Sequence, residues 1–142
     1  MSLLVRTATA ADVPAMHEIR MSVRENRLSN PQRITQASYW PYIEAASAWV
    51  AMRRERIVGF AAVDGSSQVV WALFVHPRVE GCGIGRALHK RLLQWANEQK
   101  ITRLSLSTAK NTRAASFYRS AGWIDVGSTA DGEIMFAMSI AS

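Results

Sequence analysis

The residues best placed to do chemistry stand together at Gly81-Cys82-Gly83-Ile84-Gly85-Arg86, just after an apolar run that ends Leu73-Phe74-Val75 and a His76-Pro77 step. Glycines at alternate positions let the backbone approach a ligand closely. A helix opening behind them offers unpaired N–H groups and the positive end of its dipole. Such a loop is a cradle for a pyrophosphate. The spacing is Gly-x-Gly-x-Gly, so the dinucleotide pattern Gly-x-Gly-x-x-Gly is not met, and the next strand candidate, Leu104 to Ser107, ends without an acid to bind a ribose. No Gly-Lys-Ser/Thr follows, which removes the P-loop reading. The widely used diphosphate ligand that remains is coenzyme A. Three scattered histidines and one cysteine give no metal-ligand spacing, so no metal is expected. Cys82, although near a helix start that can lower a thiol pKa, reads as an incidental loop residue.

The elements that must position this loop follow from pattern. At 142 residues and 49% hydrophobic, the chain suits a single domain over 1–142 with one full core. A lone cysteine excludes an intrachain disulfide, and the lack of a long apolar stretch at either end makes the cytoplasm the expected address, with no membrane partner. The net charge of +6, from 17 basic and 11 acidic residues, is scattered and not interleaved with aromatics, so nucleic acid is not expected as a partner.

Leu3 to Thr7 alternates as a first strand, and Thr9-Ala10-Ala11-Asp12 has capping-box form before a helix carrying Val13, Met16, Ile19 and Val23, ending near Arg24-Glu25-Asn26. Asn30-Pro31 breaks the chain. Thr35 caps a second helix with Tyr39, Trp40, Tyr42 and Ile43, interrupted or kinked near Pro41. Ala48 to Met52 and Ile57 to Val63 form a hairpin across Arg53-Arg54-Glu55-Arg56, and the Asp64-Gly65-Ser66-Ser67 turn leads into a third, central strand, Gln68 to Val75. A helix over Gly85 to Lys100 joins that strand to Leu104 to Ser107, which implies a parallel crossover. A short helix, Ala114 to Ala121, stops at Gly122. Trp123 to Ser128 and Glu133 to Ile140 close the fold around Asp131-Gly132. The expected class is α/β, with no repeat or linker.

The stretch Val75 to Leu88 resembles motif A of the GNAT superfamily of acyl-CoA-dependent N-acyltransferases, and Asn111-Thr112-Arg113-Ala114-Ala115-Ser116-Phe117-Tyr118-Arg119-Ser120-Ala121-Gly122-Trp123 resembles motif B. The resemblance implies a single-domain GNAT-like fold, a splayed mixed sheet of about seven strands and about four helices, with acetyl-CoA wedged between the fourth and fifth strands. By that match, main-chain groups of Leu73, Phe74 and Val75 meet the pantetheine arm. Gly81, Cys82, Gly83, Ile84, Gly85 and Arg86 hold the pyrophosphate, and Asn111 and Tyr118 lie near the thioester, with Tyr118 near the start of its helix. Two departures stand out. Glu80 replaces the usual Gln or Arg, with Arg78, Arg86 and Lys90 as compensating charges, and Leu106 stands where look-alikes acting on protein N-termini carry a glutamate.

Acyl transfer to an amine needs a neutral nucleophile, a stabilised oxyanion and a protonated leaving thiolate. Tyr118 is the expected catalytic residue, giving the thiolate a proton or hydrogen bond. A backbone N–H freed by a bulge near Leu73 or Phe74 would meet the oxyanion. Glu18, Glu25, Asp64, His76 and Glu80 are candidate bases, none singled out, and a water can serve instead. The expected function is acetyl-CoA-dependent N-acetylation of a primary amine on a small molecule or peptide. A non-catalytic CoA-binding or regulatory module is the alternative. Acceptor choice is assigned to Asn26 to Glu44 and the loop around Ala130. The oligomeric state is left open, a homodimer included.

Overall fold

The apolar run leading to the glycine loop forms β4 (Val69–Val75), the middle strand of a seven-stranded sheet in the computed structural model, which describes residues 3–23 and 34–140. In chain order the other strands are β1 (Leu3–Thr7), β2 (Ala48–Arg53), β3 (Arg56–Asp64), β5 (Arg103–Thr108), β6 (Ile124–Ser128) and β7 (Ile134–Ser139). The sheet order is β1-β2-β3-β4-β5-β7-β6, antiparallel except between β4 and β5. The described α-helices are α1 (Val13–Ser22), α2 (Trp40–Glu44), α3 (Ile84–Glu98) and α4 (Arg113–Ser120). The mixed seven-strand, four-helix architecture matches the sequence expectation. The expected helix end at Arg24-Glu25-Asn26, the break at Asn30-Pro31 and the candidate base Glu25 lie outside the described residues.

Local chemistry accounts for the elements. Arg54 and Glu55 both take left-handed φ, 53° and 66°, as a two-residue hairpin turn needs to match strand twist. Asp12 accepts the Thr9 N–H at 2.7 Å and two bonds from the Arg6 guanidinium at 2.8 and 3.0 Å, so one carboxylate closes the capping box of the 3₁₀ turn Ala10–Asp12 that leads into α1 and ties it to β1. The second helix is interrupted, one of the two outcomes expected near Pro41. Residues Gln36–Tyr39 form a 3₁₀ turn and α2 begins at Trp40, which puts Pro41 in a first turn where its missing N–H costs nothing, so no kink is needed.

Helices cover both faces of the sheet. On one, Leu88, Leu92 and Ala96 of α3 pack against Trp49, Ala61 and Val63; on the other, Met16 and Ile19 of α1 meet Val50, Phe60 and Phe74. Strands buried on both sides read as unbroken apolar runs, which is why the pattern of β3 and β4 was so plain.

Two irregularities of β4 shape the centre. Its register with β3 runs from Ala62↔Ala72 to Val63↔Val70, leaving Trp71 as the extra residue of a bulge. The expected bulge at Leu73 or Phe74 therefore falls earlier, at Trp71. Val70 faces the α3 side while Trp71, Ala72 and Phe74 all belong to the α1 side, as a bulge that interrupts alternation requires. On its other edge β4 pairs with β5 only at Val69↔Ser105, whereas β5 pairs with β7 from Arg103 to Thr108. Beyond Val69 the two parallel strands part.

Candidate active site

The gap between β4 and β5 opens into a cavity of about 490 Å³, walled by Leu73, Val75, Gly83, Gly85, Thr108 and Tyr118 among others. Main-chain direction decides what its β4 wall offers. His76 donates its N–H to the Val58 carbonyl at 2.8 Å, across β3. Backbone groups alternate along a strand, so Phe74 also faces β3, and Leu73 and Val75 turn their N–H and C=O toward the gap. The expectation of three pantetheine contacts reduces to two, because the Phe74 groups belong to the β3 ladder.

The glycine loop follows at the end of β4. His76 Nδ1 accepts the Arg78 N–H at 3.1 Å and so caps a 3₁₀ turn over Pro77–Val79, which gives this histidine a structural task and removes it from the candidate bases. Gly81 and Gly83 adopt φ of +83° and +82°, conformations that side chains resist, and Gly83 is the N-cap of α3. The first intrahelical bond runs from Ala87 N–H to Gly83 carbonyl at 3.1 Å, so the N–H groups of Ile84, Gly85 and Arg86 have no partner inside the helix. At Gly85 a Cβ would stand 3.6 Å from Val75 Cγ2 and 3.8 Å from Phe117. The protein itself tolerates that atom; what the glycine keeps clear is the cavity beside it. The site is therefore a helix N-terminus with open backbone donors beside an open strand edge, which fits the pyrophosphate and the pantetheine arm of coenzyme A.

Not every expected residue reaches this cavity with its side chain. Leu73, Phe74, Val75, Gly81, Gly83, Gly85, Arg86 and Tyr118 line it. Ile84 is buried in the core below, so its offering is its N–H. Cys82 and Asn111 are exposed and stand outside the wall; Asn111, at φ 57°, turns the chain into α4, where Thr112 Oγ1 accepts the Ala115 N–H at 3.1 Å. Tyr118 lies in the second turn of α4, not near its start, packed edge-on against Phe117 and Trp123. Burial pushes its phenol pKa well above the ordinary value, so the hydroxyl keeps its proton.

The sequence profile of the acetyltransferase (GNAT) family matches residues 13–123, most of the chain. The chain belongs to the GNAT family. It is 35% identical over 83 residues to the peptidyl-lysine N-acetyltransferase YjaB of Escherichia coli (strain K12), covering 58% of this chain and 52% of that protein. The chain spans about half the length of the curated relatives it matches. Among solved structures, Ard1 from Thermoplasma volcanium superposes with a TM-score of 0.86 at 18% identity, each chain covered in full. YncA, a putative acetyltransferase from Salmonella typhimurium solved with acetyl-CoA, gives 0.80 at 20% identity, covering 100% of this chain and 96% of its own.

Within this GNAT fold the cavity residues Glu133 and Arg20, and the partner of Glu80, escaped the sequence reading. Glu80, the departure from the family pattern, stands 4.0 Å from Arg113 at the mouth of α4, so its compensating cation is Arg113 and not Arg78, Arg86 or Lys90. Glu133 lines the cavity and accepts a hydrogen bond from Ser107 Oγ at 3.1 Å; of the expected bases among the described residues only Glu80 shares that wall. Arg20 enters from α1. Each of these joins elements far apart in the chain, and no spacing within one element signals them. Behind the site, Trp123 Nε1 donates to His89 Nε2 at 2.9 Å, which ties the end of motif B to the motif A helix. Burial lowers the His89 pKa, keeping the ring neutral and able to accept.

Proposed function

We propose that this GNAT protein moves an acetyl group from acetyl-CoA to a primary amine of a small molecule or peptide by direct attack. The observation that carries the reading is the gap between β4 and β5, which joins an open strand edge, a glycine cradle and the buried phenol of Tyr118 in one cavity. The likeness of the chain to a peptidyl-lysine N-acetyltransferase and the acetyl-CoA held by a neighbouring fold support it. Acetyl-CoA supplies an acyl group activated as a thioester. Leu73 and Val75 pair with the pantetheine arm, the N–H groups of residues 84–86 hold the pyrophosphate, and Arg86 adds charge. Glu133, fixed by Ser107, takes the proton of the incoming amine, and Tyr118 offers its O–H to the departing sulfur as a proton or hydrogen-bond donor.

Thiol release from acetyl-CoA across a panel of amines, lysine peptides included, tests the whole. Glu133→Gln should lower kcat/KM by roughly 10²–10⁴-fold, with partial recovery at high pH where the amine deprotonates in solution. An unchanged rate would hand that proton to water. Tight acetyl-CoA binding with no turnover on any amine would instead favour a CoA-binding module.

A further inference from the structure

Arg20 is the charged group of the cavity for which acetyl transfer gives no account. It projects from α1, lines the cavity, and lies between two rings, its Cζ 4.7 Å from the Trp71 centroid and 4.8 Å from that of Phe74. The bulge at Trp71 makes this possible by turning Trp71 onto the same face as Phe74. Tyr42 stacks on the far side of Trp71 at 4.4 Å, and Tyr39 meets it edge-on at 5.1 Å, so the indole cannot swing away.

Stacking answers part of the charge but none of the in-plane N–H donors. The Tyr39 hydroxyl, itself 3.0 Å from His17 Nδ1, stands close enough to the guanidinium to favour its charge. Nη1 is closed off from solvent and, among the described residues, has no hydrogen-bond partner. A buried donor left unmet is costly, and a charged one more so. The carboxylates that share the cavity are engaged elsewhere, Glu80 with Arg113 and Glu133 with Ser107. Burial accordingly lowers the Arg20 pKa, the sign of a cation short of counter-charge.

We infer that Arg20, held between Trp71 and Phe74, is a clamp for a carboxylate carried by the amine acceptor, so that the acceptor is an amino acid or an acid-bearing amine. The inference rests on the acyl-transfer reading for its word acceptor. Acetyl-CoA is not the source of the anion, because its phosphates belong to the glycine loop, where Arg86 and Arg113 stand. A lone planar guanidinium between rings suits a flat monoanion better than a phosphate that gathers several donors.

Matched acceptors decide it: phenylalanine against phenylalaninamide, lysine against lysinamide, and β-alanine against β-alaninamide. The quantity read is kcat/KM for the acid divided by that for its amide, which cancels effects on acetyl-CoA. Arg20→Gln should lower this ratio by about 10- to 100-fold for the best pair, mainly through the KM of the acid, and Arg20→Lys should recover part of it. A wild-type ratio that favours no acid, or equal losses for acid and amide, would overturn the clamp, and the wild-type measurement stands even if the variants fail to fold. Calorimetry with N-acetylphenylalanine and its amide on CoA-loaded protein separates the two readings. Preference for the acid without turnover keeps the clamp and removes acyl transfer; turnover without preference does the reverse.

Discussion

Tyr118 and the loop glycines carry different kinds of free energy, and substitution separates them. Tyr118→Phe keeps the ring contacts with Phe117, Trp123 and Phe136 and removes only the proton. General acid catalysis is worth roughly 10²–10⁴-fold, and an acidic thiol leaving group argues for the low end, so kcat should fall far more than acetyl-CoA affinity. Full kcat in the variant would leave Tyr118 a packing residue. Gly85→Ala should melt like wild type, because its Cβ finds ordinary contact distances, yet lose acetyl-CoA binding by calorimetry. Gly83→Ala should lose stability as well, about 1–2 kcal/mol, since its φ of +82° is left-handed. A Gly85→Ala protein that binds normally would move the pyrophosphate elsewhere. The glycines were legible because their constraint is local. Arg20 and Glu133 were not, because only the folded sheet brings α1 and the start of β7 to one cavity.

At the scale of elements, the hydrogen bond from Trp123 to His89 fastens the helix behind the glycine loop to the end of the motif B segment. His89 accepts, so the bond needs a neutral ring, and burial has lowered its pKa for that reason. The unfolded chain protonates this histidine near its ordinary value of about 6.5 while the folded protein still resists. Stability from this group is therefore complete above that pH and is lost progressively as pH falls toward the lowered value. His89→Gln, which keeps a bond partner for the indole but cannot titrate, should flatten the fall in Tm below about pH 6.5. An identical acid limb in both proteins would exclude His89 as its source; His17, also lowered by burial, would then be the group to vary. Strands and helices themselves were readable from turn residues and apolar periodicity, as Arg54-Glu55 and the Leu88, Leu92, Ala96 stripe illustrate. The bulge at Trp71 was misplaced by two or three residues because an extra residue within an all-apolar strand leaves no mark in a pattern that already faces inward on both sides.

The molecule as a whole is a sheet held together everywhere except where its ligand would enter. Antiparallel pairing binds β1 to β4 and β5 to β7 and β6, while the seam between the halves is a single β4–β5 pair, Val69↔Ser105, backed by α3. Order of elements gave that crossover from sequence, but its splay is a property of three-dimensional divergence and came only through family resemblance. A ligand that fills the seam with hydrogen bonds acts as a missing strand. At one hundred times its dissociation constant, acetyl-CoA should add about 2.7 kcal/mol, or roughly 5–10 °C in Tm for a domain of this size. The gain should be written residue by residue in amide exchange. Leu73 and Val75, whose N–H groups face the gap, should exchange faster than Phe74 in the free protein and slow strongly when acetyl-CoA binds, while Phe74, already bonded to β3, should change little. Protection gained at Phe74 and not at its neighbours would invert the alternation and place the pantetheine off the β4 edge.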